Sequence, residues 1–184
     1  TVDVAAVADG ATITLNDASG FEDTVIPLDI DVSAVDASED VSVSLSGIPD
    51  GAQLSYVDGD GNTQGIEMTD GSVTLTADQL NGLSITPAEK SDVDFALDVA
   101  VTTTDGDSTN TTTDTLNVAV EAVADDPTLS VADSEGVEDT AIDLDISSVL
   151  TDTDGSETLS VTLSNIPNGS VLTTAGGDQI TVDE

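Results

Sequence analysis

Carboxylates are almost the whole reactive equipment of this chain: 38 Asp and Glu stand against one basic residue, Lys90, with no His and no Cys. That inventory excludes disulfides, thiolate or imidazole zinc sites, thiol nucleophiles and histidine acid–base chemistry. What carboxylates can do unaided is bind hard cations, since Ca²⁺ takes six to eight oxygens in flexible geometry. A pair of them could also serve a glycosidase. With Phe21, Phe95 and Tyr56 as the only aromatics, however, little is present to stack a sugar, and no acid–base pair stands out. The expectation is a protein that is not an enzyme.

The acidic residues fall in distinct places. Asp9, and later Asp125 and Asp126, lie in linker-like stretches. Glu22 and Asp23, and again Glu138 and Asp139, belong to Glu-Asp-Thr triplets. Asp152, Asp154 and Glu157 lie in DTDGSE, and Glu89, Asp92 and Asp94 in one short segment. Solvated turns are the plain alternative for all of them. The stretch DGDGNTQG from Asp58 has acidic or amide residues at alternate positions like an EF-hand loop, but it carries Thr63 where that loop needs Gly and Thr69 where it needs Glu. A solvated hairpin is the better reading there.

The formal charge is −37 in 184 residues. Such self-repulsion destabilises a compact state unless cations gather among the carboxylates, and it argues against nucleic acid or anionic membrane as partners. Disorder is the other outcome of high charge, but disordered acidic chains are poor in β-branched residues. This one alternates them: Ile26, Leu28, Ile30 and Val32 with polar neighbours; Val41, Val43 and Leu45 with serines; Phe95, Leu97, Val99 and Val101 with Ala, Asp and Thr. Shorter strands are predicted at Thr12 to Leu15, Leu54 to Val57, Val73 to Leu75, Leu83 to Ile85 and Leu116 to Val120, with one helical turn possible in ADQLNGL. The Thr-rich stretch Thr109 to Thr115 reads as a loop leading into an edge strand. No segment has the length and apolarity of a membrane span or the layout of a signal peptide.

An internal repeat sets the organisation. AVADGATITLNDASGFEDTVIPLDI from Ala6 matches AVADDPTLSVADSEGVEDTAIDLDI from Ala122, an offset of 116 residues. The offset becomes 118 where VSVSLSGIPDGAQL from Val41 matches LSVTLSNIPNGSVL from Leu159. That period suits one sandwich domain per repeat. The expected division is 1–5 as the tail of a preceding repeat, 6–121 as a complete repeat and 122–184 as the leading part of a second. In the last piece Ile142, Leu144, Ile146, Val161 and Leu163 would need cover. If successive strands run antiparallel in repeats joined end to end, Glu22, Asp23, Glu89, Asp92 and Asp94 gather at the exit pole of the first repeat. Asp152, Asp154 and Glu157 gather at the entry pole of the second, with Asp125 and Asp126 running between. So many carboxylates converging on a linker imply calcium there.

The combination of VADDP, GVEDTAIDLDI, DTDGSE, LSNIPNGSVL and LNGLSITP resembles the calcium-binding immunoglobulin-like or cadherin-like extender repeats of large bacterial RTX-type adhesins, along essentially the whole chain. The resemblance implies an all-β fold of tandem Greek-key β-sandwiches arranged end to end, stiffened by Ca²⁺ between repeats. It implies a monomeric extended rod on the bacterial cell surface that projects a distal binding domain for adhesion or biofilm formation. The partners it implies are neighbouring repeats of the same chain. It further implies that Glu138 and Asp139 serve a following junction, and Asp9, Asp36, Glu39, Asp105 and Asp107 a preceding one. The first repeat departs from the pattern in its second loop, DASED, two residues shorter than its DTDGSE counterpart. The alternatives are a glycan- or protein-binding module and an accessory domain of a secreted hydrolase.

Overall fold

A computed structural model describes residues 5–35 and 37–182; Asp36 lies outside the described residues. The chain divides into two compact units, Thr1–Ala124 and Asp125–Glu184. Both are built from strands, with one 3₁₀ turn among the described residues, at Ala77–Leu80 inside the ADQLNGL stretch.

The first unit contains β1 (Thr12–Asn16), β2 (Ala18–Phe21), β3 (Ile26–Pro27), β4 (Asp29–Ser33), β5 (Asp40–Ser46), β6 (Gln53–Val57), β7 (Thr63–Ile66), β8 (Ser72–Leu75), β9 (Ser84–Thr86), β10 (Phe95–Asp105) and β11 (Ser108–Glu121). A five-stranded sheet runs β2-β11-β10-β5-β8 and a four-stranded sheet β3-β9-β6-β7, with β1 and β4 forming a separate pair. All pairings are antiparallel except β2 with β11. Between β1 and β2 the Asp17 carboxylate accepts the Asn117 backbone N–H at 3.0 Å, which replaces a ladder bond where the chain leaves one partner for another.

Register puts the apolar alternation to work. Leu97 stands opposite Leu116, Val99 opposite Leu45, and Val101 opposite Val43, all of them buried. From the other sheet Ile26, Ile85 and Leu54 line up across three strands. The two sets join one hydrophobic cluster with Leu28, Ile30, Ile48, Leu75 and Leu83, so the sheets share a single core as a sandwich does. Burying each such side chain contributes about 1.5–3 kcal/mol.

Two expectations need correction. The Ile26 to Val32 alternation is not one strand: Pro27 has no N–H for a ladder, and the run breaks into β3 in one sheet and β4 in another pair. Thr109 to Thr115 is not a loop but lies inside β11, with Thr111 opposite Thr102 and Thr113 opposite Ala100. The inward positions of this part of β11 are polar, as at the half-buried Thr112 opposite the buried Val101, and so carry no apolar signal. Two further strands, β2 and β7, lack a clear apolar alternation and come to light only in the structure.

The second unit contains β12 (Thr128–Val131), β13 (Ile146–Val149), β14 (Val171–Thr173) and β15 (Gln179–Thr181). Its first pair copies β1 and β4: Leu15 faces Ile30 and Val131 faces Ile146, each shifted by the repeat offset. Residues 159–164, equivalent to β5, form no strand. In the first unit β5 is held between β10 and β8, and the second unit has no counterpart of β10 or β11 among the described residues. Ile142 is 46% exposed where its equivalent Ile26 is fully buried, and Leu163 is 41% exposed where Leu45 is fully buried.

Candidate metal centre

The Glu-Asp-Thr triplets are built alike in the two units. Asp23 and Asp139 both adopt positive φ, 55° and 63°, and Thr24 and Thr140 each donate a hydroxyl hydrogen bond at 2.7 Å to the carbonyl three residues back. A glycine precedes each triplet, pressed against an isoleucine. A Cβ on Gly20 would meet Ile26 Cγ1 at 2.6 Å, and one on Gly136 would meet Ile142 Cγ1 at 2.4 Å. This local geometry fixes where the glutamate of each triplet starts.

In the first unit that turn meets the chain's exit. Glu22 is only 3% exposed; its Oε1 accepts the Val123 backbone N–H at 2.5 Å and its own N–H donates to the Glu121 carbonyl at 3.0 Å. Asp23 Oδ1 accepts the Lys90 backbone N–H at 2.8 Å, and Asp94 Oδ1 accepts the Val120 N–H at 2.7 Å. The structure therefore brings the triplet, the segment carrying Glu89, Asp92 and Asp94, and the departing strand together at one pole. Glu89 and Asp92 flank Lys90 on that segment, and Asp92 is half-buried.

The other pole of the first unit gathers Asp9, Glu39 and the β10–β11 turn. The Asp9 N–H donates to Glu39 Oε1, the buried Thr103 hydroxyl donates to the Asp9 carbonyl, and the Ala8 N–H donates to Ser108 Oγ at 3.0 Å. Asp105 and Asp107 lie in that turn. Glu39 Oε2 is buried and has no hydrogen-bond partner among the described residues.

The second unit repeats this arrangement at its own entry. The Asp125 N–H donates to Glu157 Oε1, and the Asp126 carbonyl accepts the Thr151 hydroxyl at 3.0 Å. Asp152, 1% exposed, accepts the Asp154 N–H on Oδ1 at 2.9 Å, and carboxylate oxygens of Asp152 and Asp154 lie within 4.8 Å of one another. Asp152 Oδ2 and Glu157 Oε2 are buried and take no hydrogen bond among the described residues. Glu138 and Asp139 are exposed on their turn.

Those orphaned oxygens are the test of fit for a cation. A buried carboxylate oxygen without a donor is costly, and the cost is removed by a positive charge. With neither His nor Cys in the chain the donors are hard oxygens, which suit Ca²⁺ or Mg²⁺ rather than zinc or copper. Asp58 gives the contrast. Its Oδ1 accepts the N–H groups of Asp60 and Asn62 at 3.0 and 2.9 Å, and its Oδ2 accepts Gln64 Nε2 at 2.8 Å. Chiefly through the Asn62 N–H and then the Gln64 amide, these donors hold the Asp58 carboxyl below its ordinary value. Its charge is already met by the protein, as expected of a hairpin turn rather than a metal loop.

What the sequence could not reveal is the partnership of Glu39 and Glu157 with the backbone of the preceding linker, because backbone N–H groups leave no trace in residue type. Their common place in the repeat is the available signal. No protein family matches the chain, and no curated protein matches its sequence.

Proposed function

We propose that this chain is a stretch of tandem immunoglobulin-like, cadherin-like repeats that acts as a structural spacer in an extracellular bacterial adhesin, with calcium holding the linkers stiff. The observation that carries the reading is the recurrence, in two repeat-equivalent places, of a glutamate with one oxygen on the linker backbone and the other buried without a donor among the described residues. In the second unit Asp125, Asp152, Asp154 and Glu157 would hold the ion; in the first, Asp9, Glu39, Asp105 and Asp107 offer oxygens at the equivalent pole. Calcium there would neutralise carboxylates and tie loop to linker.

Several features support the spacer role. The formal charge of −37 keeps such chains apart as monomers and calls for counter-ions. Among the described residues no helix is long and apolar enough to cross a membrane. Extracellular calcium modules bind in the ~10⁻⁴–10⁻³ M range, so millimolar calcium outside a cell would fill the sites. Calorimetric titration tests the reading: calcium should bind in that range, and Asp152→Ala should remove at least one site. A chain that binds no calcium up to several times the millimolar level would refute it.

A further inference from the structure

Two asparagines of the chain are followed by glycine, Asn81 and Asn168. An Asn-Gly step is self-reactive, because no side chain on the glycine shields its backbone nitrogen from the asparagine amide. The fold treats the two steps differently. Asn81 is clamped to β6: its Nδ2 donates to the Val57 carbonyl at 3.2 Å, and its own carbonyl accepts the Val57 N–H at 2.9 Å. Gly82 beside it is so closely enclosed that a Cβ would lie 2.7 Å from Val57 Cγ2. Asn168 is exposed in a turn, and its side chain makes no hydrogen bond among the described residues. A Cβ on Gly169 would meet nothing within 4 Å. The Gly169 N–H donates to the Val182 carbonyl at 3.1 Å, at the foot of the two-stranded β14–β15 sheet, and a lone two-stranded hairpin is marginally stable.

We propose that Asn168–Gly169 is a site of spontaneous covalent modification, and that the fold holds Asn81–Gly82 unreactive. When the hairpin opens and frees the Gly169 N–H, that nitrogen gives its proton to solvent and attacks Asn168 Cγ. The Cγ–Nδ2 bond breaks, Nδ2 leaves as ammonia, and a succinimide ring remains. Water then opens the ring at either carbonyl, which yields aspartate or isoaspartate and adds one negative charge. The two products differ in consequence. Asp50 occupies the place equivalent to Asn168, and its turn is built in the same way, with φ of 86° at Gly51 and 83° at Gly169. In both turns the next N–H closes on the proline carbonyl, Ala52 to Pro49 at 3.2 Å and Ser170 to Pro167 at 3.1 Å. Aspartate is therefore accommodated. Isoaspartate adds a methylene to the main chain, which shifts Gly169 and Ser170 out of step with Val182, the residue that both of them bond. The proposal is independent of the calcium reading.

The test is peptide mapping by mass spectrometry on the whole chain, aged in mildly alkaline buffer with and without denaturant, with fragmentation that tells isoaspartate from aspartate. In denaturant the two Asn-Gly steps should deamidate at similar rates. In the folded chain Asn168 should react about tenfold faster than Asn81 or more, because Asn81 must wait for a larger local opening. Isoaspartate should accumulate at position 168 and be missing there in Asn168→Gln. Hydrogen exchange of the Gly169 amide should be faster in the isoaspartyl product than in the fresh chain, and unchanged in Asn168→Asp. Equal rates at Asn81 and Asn168 in the folded chain overturn the assignment. So does a preference for Asn168 that is the same in denaturant, since it would then belong to the sequence and not to the fold. Unchanged Gly169 exchange in the isoaspartyl product overturns the effect on the turn.

Discussion

At Glu39, Asp152 and Glu157 the decisive property is not the presence of a carboxylate but the absence of a donor for one of its oxygens among the described residues. Asp58 marks the opposite case, with both oxygens served by amides. Those amides favour its charged form, so its folded value lies below the ordinary 3.8. A lowered folded value means that the stability it contributes is complete above the unfolded value and is lost as pH falls through the lowered one. A carboxyl-carbon NMR titration should therefore place the Asp58 midpoint below 3.8. A midpoint at or above that value would show that the hairpin donors are not engaged in solution. The types and positions of the acidic residues are legible in the sequence. Which of them are satisfied is not, because that depends on backbone N–H groups and on burial.

Among the elements, the Glu-Asp-Thr turn is the most faithfully repeated, with the same positive φ, the same hydroxyl bond and the same isoleucine pressed on a glycine. Its surroundings differ: Ile26 is locked in the core, whereas Ile142 is half exposed and can give way. Gly20→Ala should cost about 1–3 kcal/mol, the usual penalty of forcing extra volume into a packed site, and Gly136→Ala much less. Denaturant unfolding of the two variants would measure the difference; equal costs would mean that Ile142 is held as firmly as Ile26. The apolar alternation announces β5, β6, β8, β9 and β10 because each has one face in the core. It is silent for the threonine-rich part of β11, whose inward positions are polar even opposite the buried Val101, and it overruns the break after Pro27, a residue with no N–H to carry a ladder on.

Across the whole chain the two units carry the same pattern with unequal cover. The first closes its core with both sheets; the second has the leading pair in the same register but leaves Ile142, Leu144 and Leu163, equivalents of core residues, 41–54% exposed. Identical substitutions at equivalent positions should then differ in cost. Leu45→Ala should destabilise the first unit by about 2–5 kcal/mol, and Leu163→Ala should be nearly silent. Unfolding followed by amide signals from each unit would show this, and a large loss from Leu163→Ala would mean that its side chain is buried in solution.

On the proposed reading, calcium is the remaining stabiliser at this scale. At free calcium 100 times the dissociation constant a site contributes about 2.7 kcal/mol, enough to hold a linker closed though small beside a complete core. The most direct measurement is small-angle scattering of this chain through a calcium titration, with calcium binding followed in parallel. Stiffening by calcium requires the scattering to change from that of a flexibly linked chain in chelator to that of a stiff particle as the sites fill, while the first unit stays folded throughout. Calcium bound with the flexibility of the chain unchanged would contradict it.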